Sequence, residues 1–232
     1  GDYYDCFPVD DDVFGFLIAD VSGKGVGAGL YMAQLKGLVL SLARQHRSPR
    51  DLLIAVNRVL VDHLDDRSFI TMSYVVVDLR RQVMTYARAG HCPMIVAPGA
   101  RGGAQPPITV LAPDGLVVGL TIDDGTLFES LLEEVTVPLA PGDLFLLFTD
   151  GMSEMMNPAH DCFGETRLAE IVGEHRAQAL DDLADRLVAE VRAFGAGAAQ
   201  HDDMTILLLR VETAAPRQVL VATAAGTTEM DA

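Results

Sequence analysis

Apolar side chains along this sequence fall into two kinds of run. Short continuous stretches rich in valine, isoleucine, leucine and phenylalanine predict buried strands, and stretches with three-to-four-residue spacing predict helices. The first strand-like run, 13–20, stops on Asp20 and passes into the turn Val21-Ser22-Gly23-Lys24-Gly25. Residues 26–46 then carry apolar side chains at helical intervals. A second helix opens with Ser48 as N-cap, Pro49 in the first turn and Asp51 close behind, and is expected to run to about residue 64. Residues 69–79 predict a strand, Arg80 and Arg81 a turn, and 82–88 the hairpin partner.

The second half continues in the same way. A loop over 89–93 leads to a short strand at 94–97 and a Gly/Pro-rich connection over 98–107, which is expected to be mobile. Strands are expected at 108–111 and 127–137, and a turn over 138–143 feeds a strand at 144–149. Helices are expected at about 165–176 and 181–194, then a Gly/Ala loop over 195–199 and a last strand at 204–211. From 213 to 232 the Ala/Thr-rich sequence reads as a tail or linker, apart from the short run 218–223. Strand hairpins with pairs of helices between them favour an α/β (α+β) class of antiparallel sheets covered by helices over a doubly wound parallel sheet.

Composition narrows the field. The 232 residues are 50% hydrophobic, enough for one well-buried domain. With 33 acidic and 17 basic residues the formal net charge is -16, which argues against nucleic acid or an anionic membrane surface as partner. Cys6, Cys92 and Cys162 form no C-x-x-C pair, so neither a disulfide framework nor a zinc site is indicated and a reducing cytoplasm fits. The longest apolar stretch, 26–43, is interrupted by Gln34 and Lys36 and does not predict a membrane span. The sequence opens on Gly1-Asp2 without a methionine or a leader, as expected of a fragment of a longer protein.

The chemistry is carried by carboxylates at strand ends. The runs 13–20 and 144–149 lead into Asp20 and Asp150, and two further clusters, Asp2 to Asp5 and Asp202-Asp203, also abut apolar segments. An ionised carboxylate at the tip of a buried strand is costly unless something positive meets it. For either strand-end aspartate alone, the preference of Asp for turns is explanation enough; four such clusters point to an oxygen-rich site for a hard cation. Mg²⁺ and Mn²⁺ favour carboxylate and water oxygens. Two such ions, about 3.5–4 Å apart, would activate water and clamp phosphoryl oxygens. The nucleophile pattern G-x-S-x-G is absent, and Gly23-Lys24-Gly25 does not meet the Walker pattern.

Taken in order, Gly1-Asp2-Tyr3-Tyr4-Asp5, Ala19-Asp20-Val21-Ser22-Gly23-Lys24-Gly25, Ala89-Gly90-His91-Cys92-Pro93, Thr149-Asp150-Gly151-Met152-Ser153-Glu154, Phe163-Gly164 and Asp202-Asp203-Met204-Thr205 resemble the SpoIIE/RsbU branch of the metal-dependent protein phosphatases (PPM, or type 2C). The resemblance covers 1–212, taken as an N-terminally truncated phosphatase domain, with 213–232 outside it. It implies an α-β-β-α sandwich of two antiparallel sheets flanked by helices, here lacking its first N-terminal strand. It also implies two Mn²⁺ or Mg²⁺ ions, with room for a third.

By the same resemblance Asp20 bridges both ions, the Val21 carbonyl and Asp5 serve the second, and Asp150 and Asp202 hold the first. Asp2, Asp203 and Gly151 are accessory positions. Ser22 stands where larger type 2C enzymes carry a histidine, and their phosphate-binding arginine has no counterpart; both departures are common in this branch. The implied substrate is a phosphorylated anti-sigma factor antagonist of bacterial partner switching, and the implied setting is cytoplasmic, beside a sensory domain elsewhere in the protein.

Blander roles remain for several residues. His91 and His201 are expected to be hydrogen-bonded or solvated loop histidines, Asp10 to Asp12 a solvated hairpin tip, and Met152, Met155 and Met156 ordinary packing rather than a docking surface. The competing functions are a non-catalytic phosphoprotein-docking module on the same fold and a small-molecule phosphoesterase.

Overall fold

In chain order the elements are β1 (Asp2–Asp10), β2 (Val13–Val21), α1 (Val26–Leu42), α2 (Pro49–Leu60), β3 (Ile70–Asp78), β4 (Val83–Ala89), β5 (Met94–Ala97), β6 (Thr109–Leu111), α3 (Thr126–Leu131), β7 (Glu134–Pro138), β8 (Leu144–Phe148), α4 (Asp150–Ser153), α5 (Gly164–His175), α6 (Leu180–Phe194), β9 (Met204–Ala214) and β10 (Arg217–Thr227). The structure, a computed structural model, describes residues 1–65, 67–121, 125–197, 202–214 and 217–227. Two units divide the chain: Gly1–Cys92 with Ala112–Leu139, and Pro93–Leu111 with Ala140–Ala232. Each is built on a five-stranded antiparallel sheet with helices packed on it, in the orders β1-β2-β3-β4-β7 and β10-β9-β8-β5-β6.

In the first unit, β2 is buried on both faces, as its unbroken apolar run predicts. Leu17, Ala19 and Val21 point to the helices and join Leu35 and Val39 of α1 and Leu52, Leu53, Val56 and Leu60 of α2 in one core. Each such leucine contributes roughly 1.5–3 kcal/mol when fully buried, so packing rather than helix propensity holds α2 in place. Its start is built as the sequence indicates: the Asp51 amide donates to Ser48 Oγ at 3.1 Å, and the Ser48 hydroxyl donates to Glu134 Oε2 at 2.6 Å. Gly23 and Gly25 adopt φ of 88° and 83°, the left-handed turn that brings the chain from β2 into α1.

The stretch 127–137 is not one strand. Gly125, at φ 92°, precedes the short helix α3, and only from Glu134 does the sequence alternate as strand β7. Leu127, Phe128, Leu131 and Leu132 recur at helical spacing, which overrides their strand-like composition.

In the second unit β8 is wholly buried between β5 and β9. Within the expected tail, β10 pairs with β9 from Arg217↔Ala214 to Thr227↔Met204, so the run 218–223 lies inside a longer strand. Threonines and alanines extend readily in a sheet when a partner strand supplies the ladder. The 98–107 connection is tied down through the buried Asp143, which accepts from the Gly99 amide at 2.8 Å, and through Arg176, which donates to the Pro98 and Pro106 carbonyls. Among the described residues, no helix is long and apolar enough to cross a membrane.

Candidate functional site

The expected site residues divide between the two units. In the first, Asp2 on β1 lies directly opposite Asp20 on β2. The neighbouring Gly1 and Val21 exchange main-chain bonds, Val21 N to Gly1 O at 3.1 Å and Gly1 N to Val21 O at 2.6 Å. In an antiparallel ladder the pair after a hydrogen-bonded one is non-hydrogen-bonded, where facing side chains come closest. Two carboxylates so placed repel unless a cation lies between or beside them. The carbonyl of Val21 accepts one main-chain bond and keeps a second lone pair.

Asp5 lies elsewhere. It is opposite Leu17, three ladder positions from Asp20, and with Tyr3 and Phe7 belongs to the helix-covered face; Asp2 and Asp20 belong to the other. Its carboxylate accepts from Tyr3 Oη at 2.7 Å and from the Cys6 amide at 2.9 Å, and Lys36 of α1 stands 3.8 Å away. The Lys36 ammonium is also 5.9 Å from the centre of the Tyr3 ring. Burial, then the bond to Asp5 and its charge, raise the Tyr3 hydroxyl far above the ordinary phenol range, so it remains a donor. Asp5 therefore fastens α1 to the edge strand, and the expectation that it shares an ion with Asp20 is corrected: strand alternation puts the two on opposite faces.

Ser22 extends the antiparallel β2–β3 ladder by one step. Its amide donates to Phe69 O at 3.0 Å and its hydroxyl accepts from the Phe69 amide at 2.8 Å. His91 is buried, 4% exposed, and its Nδ1 is 2.8 Å from Thr71 Oγ1. It is hydrogen-bonded, as a structural loop histidine should be. His201 lies outside the described residues.

In the second unit, Asp150 is the first residue of α4 and Asp202 precedes β9. The strands are pinned together just before Asp150 and just after Asp202-Asp203: the Thr149 amide donates to Thr205 O and the Thr205 amide to Thr149 Oγ1, each at 3.0 Å. Gly151 makes the closest approach. A Cβ there would meet the Asp203 carbonyl oxygen at 2.0 Å and the Asp202 carbonyl oxygen at 3.4 Å, so only glycine lets α4 rest on the Asp202–Asp203 backbone. Asp150 and Asp202 line one cavity of about 180 Å³ with Gly151, Glu154, Met155 and Met156. Asp203 does not border it; its amide donates to Asp202 Oδ1 at 2.9 Å. Met152 and Met155 are buried, as ordinary packing predicts, whereas Met156 is 40% exposed on the cavity wall. A larger groove along α6, about 570 Å³, touches none of the expected site residues.

Among the described residues, no group of three or more His, Cys, Asp or Glu side chains is gathered closely enough to hold a metal ion. The carboxylates come as pairs, Asp2 with Asp20 and Asp150 with Asp202. Paired carboxylates plus a main-chain carbonyl are the donors suited to Mg²⁺, which is held by one or two carboxylates and retains several waters.

Comparison with known proteins agrees with the fold. The family model described as Stage II sporulation protein E (SpoIIE) matches residues 10–212, and the chain belongs to the SpoIIE family. It is 31% identical over 216 residues to phosphoserine phosphatase RsbU of Bacillus subtilis, covering 90% of this chain and 59% of that protein. Phosphoserine phosphatase RsbP of the same organism is 24% identical, covering 91% of this chain and 49% of RsbP. The chain thus spans about half the length of these curated relatives. Among solved structures, the SiaA-PP2C domain of Pseudomonas aeruginosa superposes with a TM-score of 0.75 at 24% identity, covering 91% of this chain and 80% of that one. RsbX in complex with magnesium superposes at 0.61 with 18% identity, covering 89% and 85%. The fold is that of PP2C domains.

Proposed function

We propose that this chain is the catalytic domain of a Mn²⁺- or Mg²⁺-dependent protein serine/threonine phosphatase. The observation that carries the proposal is the Asp2–Asp20 pair, two carboxylates face to face on adjacent strands next to the Val21 carbonyl. Membership of the SpoIIE family and the name phosphoserine phosphatase borne by RsbU support it. Within the first unit the proposed metal-holding oxygens are those of Asp2, Asp20 and the Val21 carbonyl; within the second, Asp150 and Asp202 are proposed metal-holding carboxylates in their own right, with Asp203 accessory. Gly151 acts by permitting close approach.

When bound, the ions lower the pKa of water and offset phosphoryl charge. The protein's own residues do the rest. Facing carboxylates on adjacent strands hold their oxygens in fixed register, so little reorganisation is needed when a phosphate arrives. Ser22 is tied to Phe69 and is not assigned as the acid that protonates the departing serine oxygen. At a net charge of -16 the chain repels phosphate at long range, and local cations are what make a phosphoprotein a feasible substrate. The proposed substrate is phosphoserine or phosphothreonine on an anti-sigma factor antagonist of a bacterial partner-switching pathway, met in the cytoplasm; the free state of Cys6, Cys92 and Cys162 suits that compartment.

One observation favours a second reading, a docking module without turnover: the described carboxylates form pairs rather than a larger cluster. Phosphate release from a phosphoserine-bearing antagonist protein, with Mn²⁺ and then with chelator, separates the readings. Turnover that needs Mn²⁺ supports the phosphatase. Binding without release supports the module, and hydrolysis of free monoesters alone would indicate a small-molecule phosphoesterase.

A further inference from the structure

We infer that Thr71 and His91 are positioning residues for Asp20, acting through a chain from the His91 imidazole to the Thr71 hydroxyl to the Asp20 carboxylate. The inference rests on the metal-dependent reading above and extends it to side chains that are not metal donors.

The ladder places Thr71 of β3 opposite Asp20, which is itself opposite Asp2. Directly paired residues share a sheet face, so Asp2, Asp20 and Thr71 form one polar row across three strands. Farther along the same face, Ile18 and Phe16 of β2 are buried and apolar. A threonine at this place is thus not one of a run of polar surface positions.

Its hydroxyl is also held from behind. His91 Nδ1 is 2.8 Å from Thr71 Oγ1, and the His91 loop is fixed on several sides. Arg88 Nη1 donates to His91 O at 2.6 Å, and the Gly90 amide donates to Gly115 O at 3.1 Å. Gly90 itself has φ 66°. A Cβ on Gly90 would fall 2.9 Å from the Val117 amide nitrogen, so the loop packs closely against the backbone at Val117.

A hydroxyl has one proton and can accept as well as donate. When the imidazole carries its proton on Nδ1, Thr71 accepts from His91 and its own proton is free to turn along the row toward Asp20, its partner in the ladder. Carboxylates that ligate metals are generally held by such outer partners, whose loss weakens metal affinity by about 10–100-fold. A staple joining the loop to β3 would need the same distance but would leave metal affinity alone.

The test is a calorimetric Mn²⁺ titration of wild type, Thr71→Val, Thr71→Ser, His91→Gln and Asp20→Ala, with thermal unfolding of each metal-free protein. The expected result is Mn²⁺ affinity about 10–100-fold weaker in Thr71→Val, restored in Thr71→Ser, with metal-free unfolding little changed. His91→Gln is read the same way if Thr71→Val does not fold. Wild-type Mn²⁺ affinity in both Thr71→Val and His91→Gln, beside its loss in Asp20→Ala, overturns this inference and spares the metal reading. No Mn²⁺ binding by wild type, or undiminished binding by Asp20→Ala, overturns both.

Discussion

Asp2 and Asp20 face each other across the first two strands, and Asp5, only three residues from Asp2, faces the other way. The difference is one of strand parity. Residues an even number apart share a face, so Asp2 points with Tyr4 and Cys6 while Asp5 points with Tyr3 and Phe7 toward α1 and α2. The same acidic motif therefore supplies one carboxylate to the candidate metal site and another to the anchoring of a helix.

That division predicts opposite behaviour for two similar substitutions. Asp2→Asn should weaken Mn²⁺ binding by more than the about 10–100-fold typical of an outer-shell loss and leave the metal-free fold intact. Asp5→Asn should keep Mn²⁺ affinity and lower stability by about 1 kcal/mol, as it weakens the bond from Tyr3; the exposed Lys36 adds little. Calorimetry with Mn²⁺ and urea unfolding of both variants check the pair.

Gly151 should tolerate no side chain. With a Cβ only 2.0 Å from the Asp203 carbonyl oxygen, Gly151→Ala forces α4 away from the backbone that carries Asp202. A loss of about 1–3 kcal/mol in urea unfolding is expected, with a fall in turnover larger than that of a surface alanine substitution. Turnover and stability equal to wild type would show that the approach relaxes freely.

Cys6 is exposed, yet burial of its sulfur and then the charge of Asp5 push its thiol up to about 11. Thiolate is the reacting form, so a raised value means less of it near neutrality. Alkylation by iodoacetamide, followed by mass spectrometry, should be slow at neutral pH and accelerate toward about pH 11. In Asp5→Asn the profile should move to lower pH.

Ser48→Ala removes the acceptor for the Asp51 amide and the donor to Glu134, and should cost about 1 kcal/mol. Mn²⁺ affinity should not change, because the lost contacts hold α2 and β7 rather than the carboxylates.

Much of this was legible in the sequence wherever one local signal sufficed. The unbroken apolar runs ending on Asp20 and Asp150 marked the buried strands β2 and β8, and Ser48-Pro49 marked the start of α2. What failed needed a second element. The helix α3 was hidden because Leu127 to Leu132 are apolar enough for a strand, and β10 because its stability comes from pairing with β9. Motif order favours Asp5, whereas strand alternation groups it with Tyr3 and Phe7, whose helix-facing position only the tertiary packing reveals. Thr71 carried no signal at all, since its relation to Asp20 exists only in the β2–β3 register.

The most direct measurement is hydrolysis of p-nitrophenyl phosphate with Mn²⁺, with chelator, and by Asp20→Ala. Turnover that requires Mn²⁺ and disappears in Asp20→Ala, while the variant remains folded, is the predicted result. Turnover indifferent to chelator, or near-wild-type activity in Asp20→Ala, would contradict a metal-dependent mechanism centred on this carboxylate.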